Sequence, residues 1–344
     1  MNNYQFIGSM YEKKIGRGED SDPILFVNMP ISNFIAVGVF DGMGGAGSTE
    51  CLSSFSVENN HKTKAYVASR IVRESISNLL INTSDFNQSP LSDTRLKEAI
   101  LKTYTEERIK YPSISKGVLR SSLIKDYPTT LAITTAFEID NEIIINSYWA
   151  GDSRNYLWTE EGIFQISNDD IKGDLDPFEN LREDAPLSNC VHADGEFVIN
   201  NRIITSFPIN KRFIIMSATD GCFGYFQSPM DFEKVLYETL KISNSYKEWE
   251  ENIIKVFKSV TADDFSFGLG IVGFSDFNAL KKYFRYPVTS RKYTTRYYKK
   301  REHLDKETKR KEEKLSRLKK GVDHELVSSW FKYKQDFLKY LDIK

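Results

Sequence analysis

Asp41 closes a run of seven mostly apolar, β-favouring residues, 34–40, and four glycines follow it, at positions 42, 44, 45 and 47. Such a run reads as a buried strand. A carboxylate on a strand end, beside backbone that only glycine permits, brings a charge and bare peptide groups close to a ligand, either a hard cation or a phosphate. Gly42, Gly44 and Gly47 also spell the dinucleotide fingerprint, which wants an acidic residue about 20 positions further on at a second strand end. Residues 60–64 hold no acid and a helical pattern follows them. Asp41 would also face a pyrophosphate with like charge, so the nucleotide reading is weak. A purely structural glycine turn stands as the alternative unless other carboxylates join Asp41.

They do. Asp152 follows the apolar run 148–151, Asp220 ends the run 213–219, Asp263 and Asp264 precede the run 266–274, and Glu19 and Asp20 stand just before 24–27. One acid at a strand end is ordinary loop chemistry. Five strand-edge acidic clusters imply a common acidic centre for divalent cations with oxygen ligands. The lack of a His/Cys cluster argues against zinc.

Positioning these acids takes a sizeable core, and the chain has the means: 344 residues, 40% hydrophobic and 13% aromatic. That length suits one large domain with an appendage, or two domains. The net charge of −1 conceals an asymmetry, because residues 281–344 hold 21 Lys/Arg against 9 Asp/Glu and the preceding 280 hold 26 against 39. The scattered Cys51, Cys190 and Cys222 are too few for a disulfide framework. None has arginine six positions later, which removes the Cys-loop phosphatase mechanism. No leader-like start and no membrane-length apolar stretch is present, so a reducing, cytoplasmic setting is expected.

Along the chain, residues 4–40 read as two strands, the polar turn 13–22 leading into the second. Amphipathic helices are predicted over 65–81 and from Ser92 or Asp93 onward, with Leu96, Ile100 and Tyr104 on one face. Strands 129–139 and 142–149 are joined by the turn signal Asp140-Asn141. Strands 153–158 and 163–167 are joined by residues 160–162. Residues 168–196 form a polar, irregular flap, in which Asp169 and Asp170 read as solvated acids and Arg154 as a brace for the strand bearing Asp152. A turn at Asn200-Asn201 separates strands 197–199 and 202–207. After a strand at 212–219, one helix opens at Ser228-Pro229 and another covers 246–260. Strands, two helices, many strands, two helices and one strand make packed antiparallel sheets flanked by helices, not alternating βαβ units. Trp149, Trp158 and Phe223 read as core or rim.

In order, Glu19-Asp20, Asp41-Gly42-Met43-Gly44-Gly45, Gly151-Asp152-Ser153-Arg154, Asp220-Gly221 and Asp263-Asp264-Phe265-Ser266 resemble the motifs of the metal-dependent Ser/Thr protein phosphatases of type 2C, the PPM family, in its bacterial form. Pro128-Thr129-Thr130-Leu131 is similar to that family's Thr-rich strand start. The resemblance covers about residues 5–275 and implies an α+β fold, a four-layer α/β/β/α sandwich with the metals between the sheets at one edge. It implies that Asp41 bridges two Mn²⁺ or Mg²⁺ ions with the Gly42 carbonyl as a further ligand. Asp220 and Asp263 would bind one ion, Glu19 and Asp20 would act through bound water, and Asp152 with Asp220 would match a third, weaker metal position. Arg17 would hold substrate phosphate, with a planar fork that lysine lacks. Asp41, Asp220 and Arg17 are thus the implied catalytic set. The sequence departs from the family at Met43, where many members have histidine, at Ala46, where many bacterial members have one, and at Asp264, which replaces asparagine; Arg17 is also offset. The group protonating the leaving oxygen is left open between His61, His192 and a metal-bound water.

The expected organisation is a phosphatase domain over 1–276 and a basic, Tyr-rich, helical extension over 277–344. The expected function is hydrolysis of phosphoserine and phosphothreonine in proteins, opposing a Ser/Thr kinase. The rival is a catalytically impaired module that binds a phosphoprotein. For the extension, the readings are a solvated helix whose aromatic end docks on the body, a docking arm for a kinase or other acidic protein, and, third, a nucleic-acid contact.

Overall fold

The computed structural model describes residues 3–29, 33–56, 61–83, 91–112, 125–173, 175–183, 185–208, 211–284 and 292–337. In chain order the elements are β1 (Tyr4–Tyr11), β2 (Ile24–Val27), β3 (Phe34–Val39), β4 (Glu50–Cys51), β5 (Lys62–Thr63), α1 (Lys64–Ile81), α2 (Asp93–Lys110), β6 (Leu131–Ile139), β7 (Glu142–Ala150), β8 (Arg154–Thr159), β9 (Gly162–Gln165), α3 (Pro177–Asn180), β10 (Asn200–Pro208), β11 (Phe213–Ala218), α4 (Asp220–Phe223), α5 (Pro229–Ile242), α6 (Tyr246–Val260), β12 (Phe265–Val272), α7 (Phe277–Tyr283) and α8 (Lys292–Phe337). They fall into two units, Met1–Tyr286 and Pro287–Lys344.

Two five-stranded antiparallel sheets make the centre of the first unit, in the orders β1-β12-β11-β8-β9 and β10-β7-β6-β3-β2. Every residue of β3, β11 and β12 is buried. Strands covered on both faces have no solvent side, which is why their sequences are near-continuous apolar runs instead of alternating ones. Between the sheets lie Ile35, Val37, Ile145, Phe213 and Ile215. Outside one sheet, α1 and α2 pack Val67, Ile71, Leu96 and Ile100 onto Phe34 and Phe40. Outside the other, α5 and α6 pack Leu236, Trp249 and Phe257 onto Trp158 and Phe267. The result is the α/β/β/α sandwich. Thr63, Ser92, Ser228 and Ser245 each cap a helix by accepting a backbone N–H, which satisfies donors left free in a first turn.

The register places the acids. In one sheet Val39 opposes Ala132 and Leu131 opposes Ala150, so the end of β3 and the end of β7 share an edge. In the other, Ala218 opposes both Arg154 and Phe267, and Tyr11 opposes Phe265. The chain therefore leaves β3, β7 and β11, and enters β12, beside the same two edges.

Two sequence expectations are corrected. Residues 4–40 hold three strands, because Asn28 turns the chain between β2 and β3, its side chain accepting the Phe34 N–H at 2.7 Å. Asn200 and Asn201 are the start of β10 rather than a turn, pairing with Trp149 and Tyr148; the strand partner and an Asp170 carboxylate for the Asn200 amide outweigh local turn preference. The Asp140-Asn141 turn does form, with φ of 51° and 62°, the left-handed pair that a two-residue hairpin needs. Residues 277–284 belong to the first unit, which ends past the expected 276/277 boundary. The second unit contains the 46-residue helix α8, whose expected aromatic end at 328–341 runs past the described residues. Among the described residues no helix is long and apolar enough to cross a membrane.

Candidate metal centre

Asp41 stands two residues beyond β3 and is fixed through its backbone. Its carbonyl accepts from Thr129 Oγ1 at 2.7 Å and from the Thr130 N–H at 2.8 Å, and its N–H donates to Thr130 Oγ1 at 3.2 Å. The Thr-rich start of β6 is thus a clamp on the strand end. Gly42 is buried, and a Cβ there would lie 2.3 Å from the Ala65 carbonyl oxygen; one on Gly44 would lie 2.0 Å from Glu19 Oε2. Glycine is required at position 42 because the backbone of helix α1 presses against this turn, whereas at position 44 the Glu19 side chain would have to move.

Asp20 is 2% exposed and accepts from Thr219 Oγ1 at 2.8 Å, which joins the loop before β2 to the end of β11. Glu19 accepts from Thr63 Oγ1 at 2.8 Å, the same hydroxyl that caps α1. Asp220 opens α4, where Gly221 sits so close to the Asp264 carbonyl that a Cβ would be 1.8 Å from it. Asp152 follows Gly151, whose φ of +105° suits glycine; the Gly151 N–H donates to Asp170 at 3.1 Å.

Asp41 feels the charges of Asp20, Asp220 and Asp152 in turn, after burial, and is held well above the usual carboxylate range. Burial, then the charges of Asp220 and Asp264, keep Asp20 well above it too. Asp152 is pushed up to about 8 by burial and then by Asp220 and Asp169. Asp220 is raised by burial and then by Asp263, and Glu19 by burial despite its bond from Thr63. Asp41, Asp152 and Asp220 keep partial access to solvent. The structure therefore brings Asp20, Asp41, Asp152 and Asp220 within electrostatic reach of one another, with the exposed Asp263 acting on Asp220.

Other residues support that centre or lie apart from it. Asp264 accepts the N–H groups of Lys13 at 2.7 Å and Glu19 at 2.9 Å, so it anchors the loop carrying Glu19. Arg17 is exposed on that loop. His61 is exposed. His192 is buried, bonds the Glu196 carbonyl at 2.9 Å and packs against Phe197; burial lowers its pKa.

Asp169 is not solvated as the sequence suggested. It forms a two-pronged pair with Arg154, at 2.9 and 2.6 Å, in which Arg154 is 1% exposed. It also accepts from Asn180 at 2.5 Å. Asp170 is likewise engaged, accepting from Asn189 at 2.7 Å and from Asn200. Sequence reasoning missed α3 and with it Arg182, which lines a cavity of about 300 Å³ together with Asp152 and Asp220. The signal was present: Asp176-Pro177 with Glu179 is a capping box with a first-turn proline, and both of its bonds form.

An all-oxygen set of repelling carboxylates fits hard divalent cations such as Mg²⁺ or Mn²⁺ in donor type and charge. Among the described residues, no three His, Cys, Asp or Glu side chains are drawn together as a preformed metal site, so the fit is one of chemistry rather than of ligand geometry.

No protein-family model and no curated protein matches the chain. Solved structures do. The serine/threonine phosphatase PstP/Ppp of Mycobacterium tuberculosis is 14% identical with a TM-score of 0.51, over 79% of this chain and 99% of its own. Stp1 of Staphylococcus aureus is 16% identical with a TM-score of 0.53, over 79% and 95%. A C. elegans sex determining protein is 14% identical with a TM-score of 0.56, over 83% and 68%. Likeness at such identities is one of architecture, and it agrees with the layer order: the chain has the fold of the type 2C Ser/Thr phosphatases.

Proposed function

We propose that the first unit hydrolyses phosphoserine and phosphothreonine in proteins with two Mn²⁺ or Mg²⁺ ions, and a third, weaker one, held by Asp41, Gly42, Asp220, Asp263, Glu19, Asp20 and Asp152. One observation carries this reading: Asp20, Asp41, Asp152 and Asp220 come from four separate chain segments, yet the charges of Asp20, Asp220 and Asp152 all disfavour the charged form of Asp41, and that of Asp220 disfavours those of Asp20 and Asp152. A fold has no structural use for that repulsion, and bound cations remove it. The ions, when bound, supply Lewis acidity and a water activated at neutral pH.

The chain's own residues do the rest. Thr129 and Thr130 hold the Asp41 backbone, and Thr219 orients Asp20, so the acids sit on rigid strand ends. Phosphoryl transfer asks little covalent chemistry of a protein and much positioning. Arg17 on the 13–18 loop is the cation that the resemblance assigns to the phosphate; Arg182, which lines the cavity, is a second fork within the site. The fold neighbours' names support a phosphatase.

Met43 and Ala46 favour a second reading, a phosphoprotein-binding module without turnover, because neither can protonate a leaving oxygen. The deciding experiment is release of phosphate from a phosphothreonine peptide with Mn²⁺ and then with EDTA. Metal-dependent release is expected. Its absence, while calorimetry shows the metal bound, would select the binding module. The reading also places the protein in the cytoplasm, opposing a Ser/Thr kinase, with the basic helix α8 as a docking arm for that kinase or another acidic protein.

A further inference from the structure

Two cavities meet at the flap. The first is the acid-facing one of about 300 Å³; the second, of about 370 Å³, has a largely apolar lining that includes Ile163, Phe178, Met230 and Phe232. Arg154, Leu181 and Phe223 line both. This shared wall is firmly built. Arg154 spends its charge on Asp169, lies 4.2 Å from the Phe223 ring centre, and through Asp169 and Asn180 is tied to α3. The second cavity's two acids are committed elsewhere. Asp176 accepts the N–H groups of Phe178 and Glu179 at 2.7 and 2.9 Å, and Glu233 is 7% exposed and accepts the Ile163 N–H at 3.5 Å. The chamber is therefore shaped for an apolar group, not for a cation.

We propose that this second cavity receives the side chain next to the phosphorylated residue of the substrate, so that the substrate class is a phosphopeptide with a bulky apolar neighbour such as leucine, methionine or phenylalanine. The inference rests on the phosphatase reading of the first cavity. A phosphate lodged beside Asp152, Asp220 and Arg182 leaves the peptide backbone at the mouth. The next Cα is about 3.8 Å along the chain, and the two chambers share Arg154, Leu181 and Phe223 as lining. Burying an apolar side chain there adds affinity that a serine cannot match.

The test uses the full chain and two labelled peptides in which a phosphonate carbon replaces the ester oxygen of phosphothreonine, one flanked on both sides by leucine and one by serine. Binding is followed by fluorescence anisotropy with Mn²⁺, and the cleavable phosphothreonine versions are assayed in parallel. The leucine peptide should bind about tenfold or more tightly. That ratio should fall towards one in Met230→Gln and in Phe178→Ser, two exposed positions on different elements, each checked for folding by circular dichroism. Equal binding of both peptides, binding of neither, or a ratio unchanged in both variants overturns the proposal. Preference without hydrolysis keeps the subsite and removes the phosphatase reading. Hydrolysis without preference does the reverse.

Discussion

Each acid of the centre is expensive alone and useful together with the others, which makes its charge testable apart from its shape. Asp41→Asn keeps the side-chain volume and the Thr129 and Thr130 bonds, which run to the backbone, and removes the ionisable group on which the charges of Asp20, Asp220 and Asp152 bear. Phosphate release in Asp41→Asn and in Asp220→Asn should fall by about a hundredfold or more, while melting in EDTA stays level or rises; a variant that keeps near-wild-type release would remove that acid from the site. Titration gives an independent check. The folded, metal-free chain holds protons on Asp20 and Asp41 well above the ordinary range, and on Asp152 up to about 8. An unfolded chain gives them up near pH 4, at about the model-peptide value. Between those limits the folded state binds more protons, so stability is lost as pH rises. In EDTA the melting temperature should drop between about pH 5 and about pH 8, and Mn²⁺ at the upper pH should restore it. A melting curve that is flat with pH and indifferent to metal would show that the carboxylates do not share a site.

At the scale of elements, strand ends and loops carry everything functional, and this is also where sequence and structure part company. Most strands and the helices α1, α2, α5 and α6 of the first unit were legible because periodicity, capping serines and turn residues agree locally, as at Ser228-Pro229 and Asp140-Asn141. The acids were legible because each follows or precedes an apolar run. The partners of the flap were not, since Arg154 meets Asp169 only after β8 and β9 have paired and the chain has doubled back. Asp264 belongs in sequence to a strand-edge acidic cluster, yet serves as the acceptor for two loop N–H groups, a role set by β1 and β12 lying side by side. The buried pair leads to a prediction. Asp169→Ala leaves the Arg154 guanidinium without its partner at 1% exposure, and removing one member of a buried pair costs about 3–5 kcal/mol. Urea unfolding should show a loss of that size, against less than about 1 kcal/mol for Lys102→Ala, whose pair with Glu106 is exposed.

For the whole molecule, what matters is where the sandwich stops. The charge asymmetry of the sequence begins near residue 281, but the packing does not end there. Phe277 meets Tyr246 at 5.1 Å and Trp249 at 6.3 Å between ring centres, Phe284 meets Trp158 at 6.1 Å, and the Lys281 ammonium donates to the Ser243 carbonyl at 2.5 Å. Leu280 is fully buried. Helix α7 is therefore the last piece of the core that seals α6 and the α-side of β8, even though its lysines belong by composition to the basic extension. Helix α8, by contrast, shows exposed side chains along its described length, among them Leu315, Leu318, Val322 and Leu326, and it is held locally by pairs such as Glu302 with Lys306 at 2.7 Å. Two truncations should consequently behave differently. A chain of residues 1–286 should melt as one cooperative unit and keep the small-ester hydrolysis of the full chain within about twofold, surface changes remote from a site being small in effect. A chain of residues 1–276 loses two buried phenylalanines and a leucine, each worth about 2–5 kcal/mol when cut back. That sum approaches the whole stability of an ordinary domain, about 5–15 kcal/mol, so the shorter chain should unfold or aggregate at room temperature. Calorimetric melting of the two proteins decides the matter: equal stability would mean that α7 is an ornament on the sandwich, and failure of both would mean that the α8 unit completes it.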